Sequence, residues 1–119
     1  MTSAESPVQL ALIDAGLGEK SLTSSLCTHA AEASDPATMQ VTRFSAGDHH
    51  ILPYGEPGVS GVQELTQTLQ AAEGVILVFP VYNFNMNAPL KAIIEQGGPA
   101  MAGKVVGLMA SAGGRHAYM

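Results

Sequence analysis

Residues 75–91 read Val75-Ile76-Leu77-Val78-Phe79-Pro80-Val81-Tyr82-Asn83-Phe84-Asn85-Met86-Asn87-Ala88-Pro89-Leu90-Lys91. The unbroken apolar run at 75–79, rich in β-branched and aromatic residues, predicts a strand buried on both faces, as in a parallel sheet. Pro80 and the asparagines then break that pattern. A helix is predicted over residues 88–96, with Gly97-Gly98-Pro99 as its stop. Strand, polar loop and helix in this order put the loop at a strand's carboxyl end, where open α/β sheets bind ligands. Asn83 and Asn85 offer donors and acceptors suited to the edge of a flat heterocycle, and Tyr82 and Phe84 offer flat contacts to its face. The plainer alternative is a connecting loop whose asparagines satisfy local backbone groups.

Working outward, residues 8–13 read as a first strand, ended by Asp14-Ala15-Gly16-Leu17-Gly18. A helix follows over residues 21–33, with Leu22, Leu26, Ala30 and Ala33 at helical spacing. Ser34-Asp35-Pro36 ends it, and residues 38–44 alternate as a second strand. Residues 45–58 form a long loop with two prolines, three glycines and the pair His49-His50. Loops of this length inside compact domains are often functional. Ser60 and Gln63 have capping-box spacing and open a helix with Val62, Leu65, Leu69 and Ala72 on one face. Residues 105–109 form a fourth apolar strand, followed by Ser111-Ala112-Gly113-Gly114. Strands alternating with helices predict an α/β, doubly wound, three-layer fold.

The composition narrows the functional classes. The chain has 119 residues, 46% of them hydrophobic and 13% charged, which fits one folded domain. A net charge of −5 and five scattered basic residues speak against a nucleic-acid partner. One cysteine, Cys27, excludes an internal disulfide and suits a reducing compartment. Residues 1–7 read as a disordered tail with neither a basic segment nor an apolar core, so a cytoplasmic protein without a signal peptide is expected. No apolar run has the length to span a bilayer. His29, His49, His50 and His116 lack partners at metal-ligand spacing, so surface histidines and no metal site are expected. Cys27 is expected to be a packed thiol rather than a nucleophile, since it lies among Leu22, Leu26 and Ala30.

The first strand–helix turn adds a second candidate site. A Gly-containing turn before a helix presents unpaired N–H groups to an anion, with Ser21, Thr23, Ser24 and Ser25 as added hydroxyl donors. An ordinary tight turn with a Ser cap reads equally well from this segment alone. Asp14 and Glu19 put carboxylates beside that turn, which a bound anion tolerates only if they point away; Lys20 offsets part of their charge. The two glycines of 111–114 permit close backbone approach to a ligand.

Pro80-x-Tyr82-Asn83-Phe84, with Leu90 and Lys91 after it, closely resembles the flavin-binding loop of flavodoxin-like NAD(P)H-dependent FMN, quinone and azo reductases. Asn87 takes that family's proline position with Pro89 two places later, and Glu95 stands where the family has Asp. Ser21 matches the family's phosphate-binding serine, Gly16 falls where a second serine is common, and Thr23 falls where Asn or Ser is usual. Ser111-Ala112-Gly113-Gly114 resembles the second ring-binding loop, and Leu52-Pro53-Tyr54 resembles a segment that rims the cofactor site.

The resemblance implies a flavodoxin-like FMN-binding domain over residues 8–119. It implies FMN held by Gly16, Ser21, Thr23, Pro80, Val81, Tyr82, Asn83, Phe84, Asn85, Ser111, Ala112, Gly113 and Gly114; apart from it, the six methionines suit gap filling, with Met86 a candidate for the substrate face. The resemblance further implies hydride transfer from NAD(P)H through flavin N5 to FMN, a quinone or an azo compound, in a homodimer. No dedicated acid or base is expected. The family's domain has five strands in the order 2-1-3-4-5, so the fold is expected to be cut short after the fourth strand, without its last strand and helix. The alternative is a flavodoxin-like binding or interaction module, or a fragment, without turnover.

Overall fold

A computed structural model describes residues 6–18, 20–58 and 60–114. Four parallel strands form its sheet: β1 (Val8–Asp14), β2 (Met39–Ser45), β3 (Gly74–Tyr82) and, last in the chain, β5 (Val105–Ser111). Their order is β2–β1–β3–β5, with Leu10 opposite Gly74 and Gly74 opposite Val105. A two-residue strand, β4 (Asn85–Met86), pairs antiparallel with the end of β3, so the sheet is not purely parallel as expected. Helices α1 (Leu22–Ala33), α2 (Val62–Ala71) and α3 (Ala88–Met101) complete the three layers. This is the expected flavodoxin-like arrangement.

The apolar run of β3 resolves into two faces by the period-2 alternation of a strand. Val75, Leu77, Phe79 and Val81 join a core with Ile13, Phe44, Leu65, Leu69, Leu90 and Ile93, beneath α2 and α3. Val78 joins Leu12 and Cys27 beneath α1, with Leu26, Ala30, Val41, Ile76 and Met109 packed around them. Continuous hydrophobicity in this strand is therefore two alternating patterns superimposed.

Three local expectations are corrected. Gly97-Gly98-Pro99 does not stop α3, which runs on to Met101. A Cβ on Gly97 would come within 2.7 Å of Leu69 Cδ1 and 3.2 Å of Leu65 Cδ2, so that glycine serves close helix packing rather than termination. Pro99 sits in the last turn, where its ring no longer interrupts a long run of helix. Nor does Ser60 cap α2. The N-cap is Gly61, without a side-chain bond, while Ser60 Oγ accepts from Leu52 N–H at 3.1 Å. The last strand, β5, is not buried on both faces: Val105 is 81% and Leu108 66% exposed. Among the described residues no strand pairs with its outer edge.

The expected tail at residues 1–7, together with Glu19, Arg115 and His116, lies largely outside the described residues; Ser6 and Pro7 carry no regular structure. The long loop at 45–58 is pinned at Leu52, whose carbonyl accepts from Gln96 Nε2 at 3.2 Å. Lys104 Nζ donates to the carbonyls of Leu69 and Gln70, satisfying the C-terminal end of α2 with a cation.

Candidate functional site

Three segments meet at the carboxyl end of the sheet around an open cleft of about 700 Å³. Leu17, Gly18, Lys20, Ser21, Leu22 and Thr23 come from the β1–α1 turn and the first turn of α1. Pro80, Val81 and Tyr82 come from the end of β3, and Ser111, Ala112 and Gly113 from the end of β5. All three strands run parallel, so their carboxyl ends lie along one edge. That common direction brings together residues almost a hundred positions apart.

The turn after β1 is fixed by its own polar groups. Ser21 is the N-cap of α1, and its Oγ accepts from Ser24 N–H at 3.2 Å. The helix begins against the cleft, so its positive N-terminal end faces that space with the Ser21 hydroxyl and the Lys20 ammonium nearby. Gly16 is required beneath the turn, because a Cβ there would meet Ser21 Oγ at 2.4 Å. Thr23 is 1% exposed, and its Oγ1 lies 2.8 Å from Ser111 Oγ.

Asp14 points away from the cleft. Its Oδ1 accepts from Gly16 N–H at 2.9 Å and its Oδ2 from Arg43 Nη2 at 2.7 Å. The carboxylate is buried, and the guanidinium compensates its charge. Arg43 also reaches Thr28 Oγ1 and the Ser24 carbonyl, tying β2 to α1. This pair borders a separate polar cleft of about 620 Å³ with Ser45, Gly47, Asp48 and His49.

After β3 the chain reverses in two residues. Asn83 and Phe84 have φ of +52° and +65°, the signature of a type I′ hairpin turn. Asparagine adopts that region readily, whereas a bulky aromatic pays for it. Tyr82 and Phe84 are exposed at the tip, 64% and 57% respectively. Asn85 Oδ1 accepts from Met86 N–H at 2.8 Å. Asn87 is buried and works twice: Oδ1 accepts from Leu90 N–H at 3.3 Å as the α3 N-cap, and Nδ2 donates to the Ala15 carbonyl at 2.8 Å. The family's proline at this position has no such side chain, and Asn87 here joins α3 to the turn after β1.

Of the residues singled out from the sequence, Ser21, Thr23, Pro80, Val81, Tyr82, Ser111, Ala112 and Gly113 line the one cleft. Gly16 lies under it and borders the second cleft. Asn83, Phe84 and Asn85 stand at the hairpin tip, where Asn85 and Met86 border a hollow on the α3 side with Lys91. Gly114 is exposed just past the cleft lining. Tyr54 is 75% exposed, and neither Leu52, Pro53 nor Tyr54 lines either cleft. Sequence reasoning missed Leu22, assigned to the buried face of α1 but 74% exposed and facing the cleft. Its place directly after the N-cap was the available signal.

The other candidates are plain. His29 and His50 are exposed, while His49 stacks on Phe44 with ring centroids 4.5 Å apart. Among the described residues no group of three or more His, Cys, Asp or Glu is placed to hold a metal ion. No described helix is long and apolar enough to cross a membrane. Cys27 is fully buried, and burial first, then the Asp14 charge, pushes its pKa up to about 12.

A four-stranded parallel sheet with a cleft at its carboxyl edge, framed by a helix N-terminus and two strand-end loops, defines a flavodoxin-like α/β protein. The profile of the NADPH-dependent FMN reductase family matches residues 8–119, and the chain belongs to that family. No curated protein sequence matches it. Among solved structures, an oxidoreductase from Corynebacterium diphtheriae is similar at a TM-score of 0.71 and 20% identity, over 94% of this chain and 68% of that one. The azoreductase AzrA is similar at 0.66 and 13%, over 92% and 71%. An FMN-dependent NADH-azoreductase from Bacillus anthracis, solved with FMN, is similar at 0.61 and 14%, over 91% and 70%.

Proposed function

We propose that this chain binds FMN in the 700 Å³ cleft and acts as an NAD(P)H-dependent oxidoreductase on a small acceptor such as free FMN, a quinone or an azo compound. The observation that carries the reading is the convergence of the α1 N-terminus, the end of β3 and the end of β5 on that one cleft. Its volume suits a bound cofactor. The donor set suits FMN in kind: the Ser21 hydroxyl, the Lys20 ammonium and a helix N-terminus for an anion. Gly113 has open space around it, so backbone can approach a ring closely there.

The residues have separable tasks in this reading. The Ser21 hydroxyl, the first-turn amides of α1 and Lys20 hold the phosphate. Pro80, Val81 and Tyr82 wall one side of the ring, and Ala112 and Gly113 the other. Bound FMN supplies the hydride chemistry, which belongs to the cofactor. Backbone N–H groups of the two ring loops stabilise negative charge on the ring by hydrogen bonding. The open cleft leaves room for a donor and an acceptor to use it in turn.

Titrating the purified chain with FMN, followed by flavin fluorescence, tests binding. NADH or NADPH oxidation in the presence of menadione tests turnover. Quenching that saturates, with turnover dependent on FMN, is the expected result. Absence of both overturns the proposal; binding without turnover leaves a flavin-binding module.

A further inference from the structure

The chain's outline leaves Thr23 without an obvious partner in its own segment, since it belongs to a helix of which Thr23 and Cys27 are the buried residues. A threonine hydroxyl that is 1% exposed must be hydrogen-bonded or it costs stability. Its partner is Ser111 Oγ, at 2.8 Å and 88 positions away. Ser111 is the last residue of β5 and stands opposite Pro80 in the ladder. No strand pairs with the other edge of β5 among the described residues, and Ala112, Gly113 and Gly114 form no hydrogen bond there. The loop that would meet the ring therefore hangs from a strand end that the Thr23 hydroxyl fastens.

We propose that Thr23 is a positioning residue: its bond to Ser111 clasps the Ala112–Gly113 loop to α1 and sets the width of the cleft, instead of binding the phosphate. This rests on reading the cleft as a flavin site. In that role Thr23 transmits geometry from the phosphate end to the ring end. A phosphate ligand and a clasp predict different ligand dependence. Losing a phosphate ligand harms FMN and spares riboflavin, which has the ring without the phosphate. Losing a clasp harms both alike.

The experiment compares FMN and riboflavin affinities, by flavin fluorescence, for the native chain, Thr23→Val, Thr23→Ser and Ser111→Ala. Thr23→Val and Ser111→Ala are each expected to weaken both flavins by about fivefold, the worth of one neutral hydrogen bond. Thr23→Ser, which keeps the hydroxyl, is expected to restore both. The double variant Thr23→Val/Ser111→Ala should be no weaker than either single. A loss confined to FMN, or additive losses, overturns the proposal. Should Thr23→Val fail to fold, the FMN-to-riboflavin ratio of Ser111→Ala decides it. If the native chain binds neither flavin, the reading of the cleft fails separately. The clasp is then judged by urea unfolding of the ligand-free variants, where non-additivity supports it and additivity overturns it.

Discussion

Arg43 Nη2 lies 2.7 Å from Asp14 Oδ2, across the pairing of β2 with β1, and the two differ sharply in burial: Arg43 keeps 32% of its side chain exposed and Asp14 only 1%. Removing either partner should therefore have unequal effects. Arg43→Met leaves a buried carboxylate without its cation, a loss on the order of 3 kcal/mol. Asp14→Asn still accepts from Gly16 N–H, and the freed guanidinium can turn to water, so about 1 kcal/mol is expected. Urea unfolding should rank Arg43→Met well below Asp14→Asn. Equal losses would show that the pair is not what holds the turn.

Adjacent glycines in α3 should respond differently to alanine. Helix propensity favours alanine over glycine by roughly 1 kcal/mol at both sites. A Cβ on Gly98 meets nothing within 4 Å beyond its chain neighbours, but it crowds the ring of Pro99 next to it, which offsets the propensity gain, so Gly98→Ala is expected to be near neutral. A Cβ on Gly97 meets Leu69 and Leu65, and overpacking of about 1–3 kcal/mol should outweigh the propensity gain. Thermal melts of the two variants check this directly.

The hairpin tip trades stability for an exposed ring. Phe84 at φ +65° carries a left-handed cost of about 1–2 kcal/mol, which glycine does not pay. Phe84→Gly should therefore raise the melting temperature, provided the ring's own contacts contribute less than that cost. If the ring contacts flavin as proposed, FMN affinity should fall in the same variant. A stabler protein with unchanged affinity would remove Phe84 from the site.

Cys27 gives a pH dependence with a definite sign. Its pKa is raised from 9.0 to about 12 in the folded chain, chiefly by burial, so the unfolded chain releases the proton first. The contribution to stability is whole below pH 9 and declines as pH rises from 9 towards about 12. The slope is at most about 1.4 kcal/mol per pH unit. Cys27→Ala should be less stable at neutral pH but lose that slope. In the native chain a thiol reagent at pH 8 should label Cys27 only as the protein unfolds.

Much of this architecture was legible because burial and backbone chemistry write directly into sequence. The run at 75–79 marked β3, and Pro80 to Phe84 marked its exit. What stayed hidden depended on contacts between distant segments. Gly97 reads as a helix stop until Leu65 and Leu69 are seen against it. Ser60 reads as a cap until Leu52 claims its hydroxyl. Thr23 and Asn87 gave no local sign of Ser111 and the Ala15 carbonyl, since those partners are 88 and 72 positions away. The exposed face of β5 was hidden for the same reason: apolar character predicts burial only where something covers the strand.

The two sides of the sheet are unequally filled. On one, α2 and α3 close over a broad core that includes Phe79, Leu65, Leu69, Leu90 and Ile93. On the other, α1 covers, among the described residues, only Leu12, Cys27 and Val78 as fully buried apolar residues. Local opening follows the smaller core. Amide hydrogen exchange should therefore be fastest in α1 among the three helices, and a ligand seated at its first turn should slow exchange there most. The layer that frames the cleft is the one that breathes, so occupancy of the cleft and cooperativity of unfolding are thermodynamically linked.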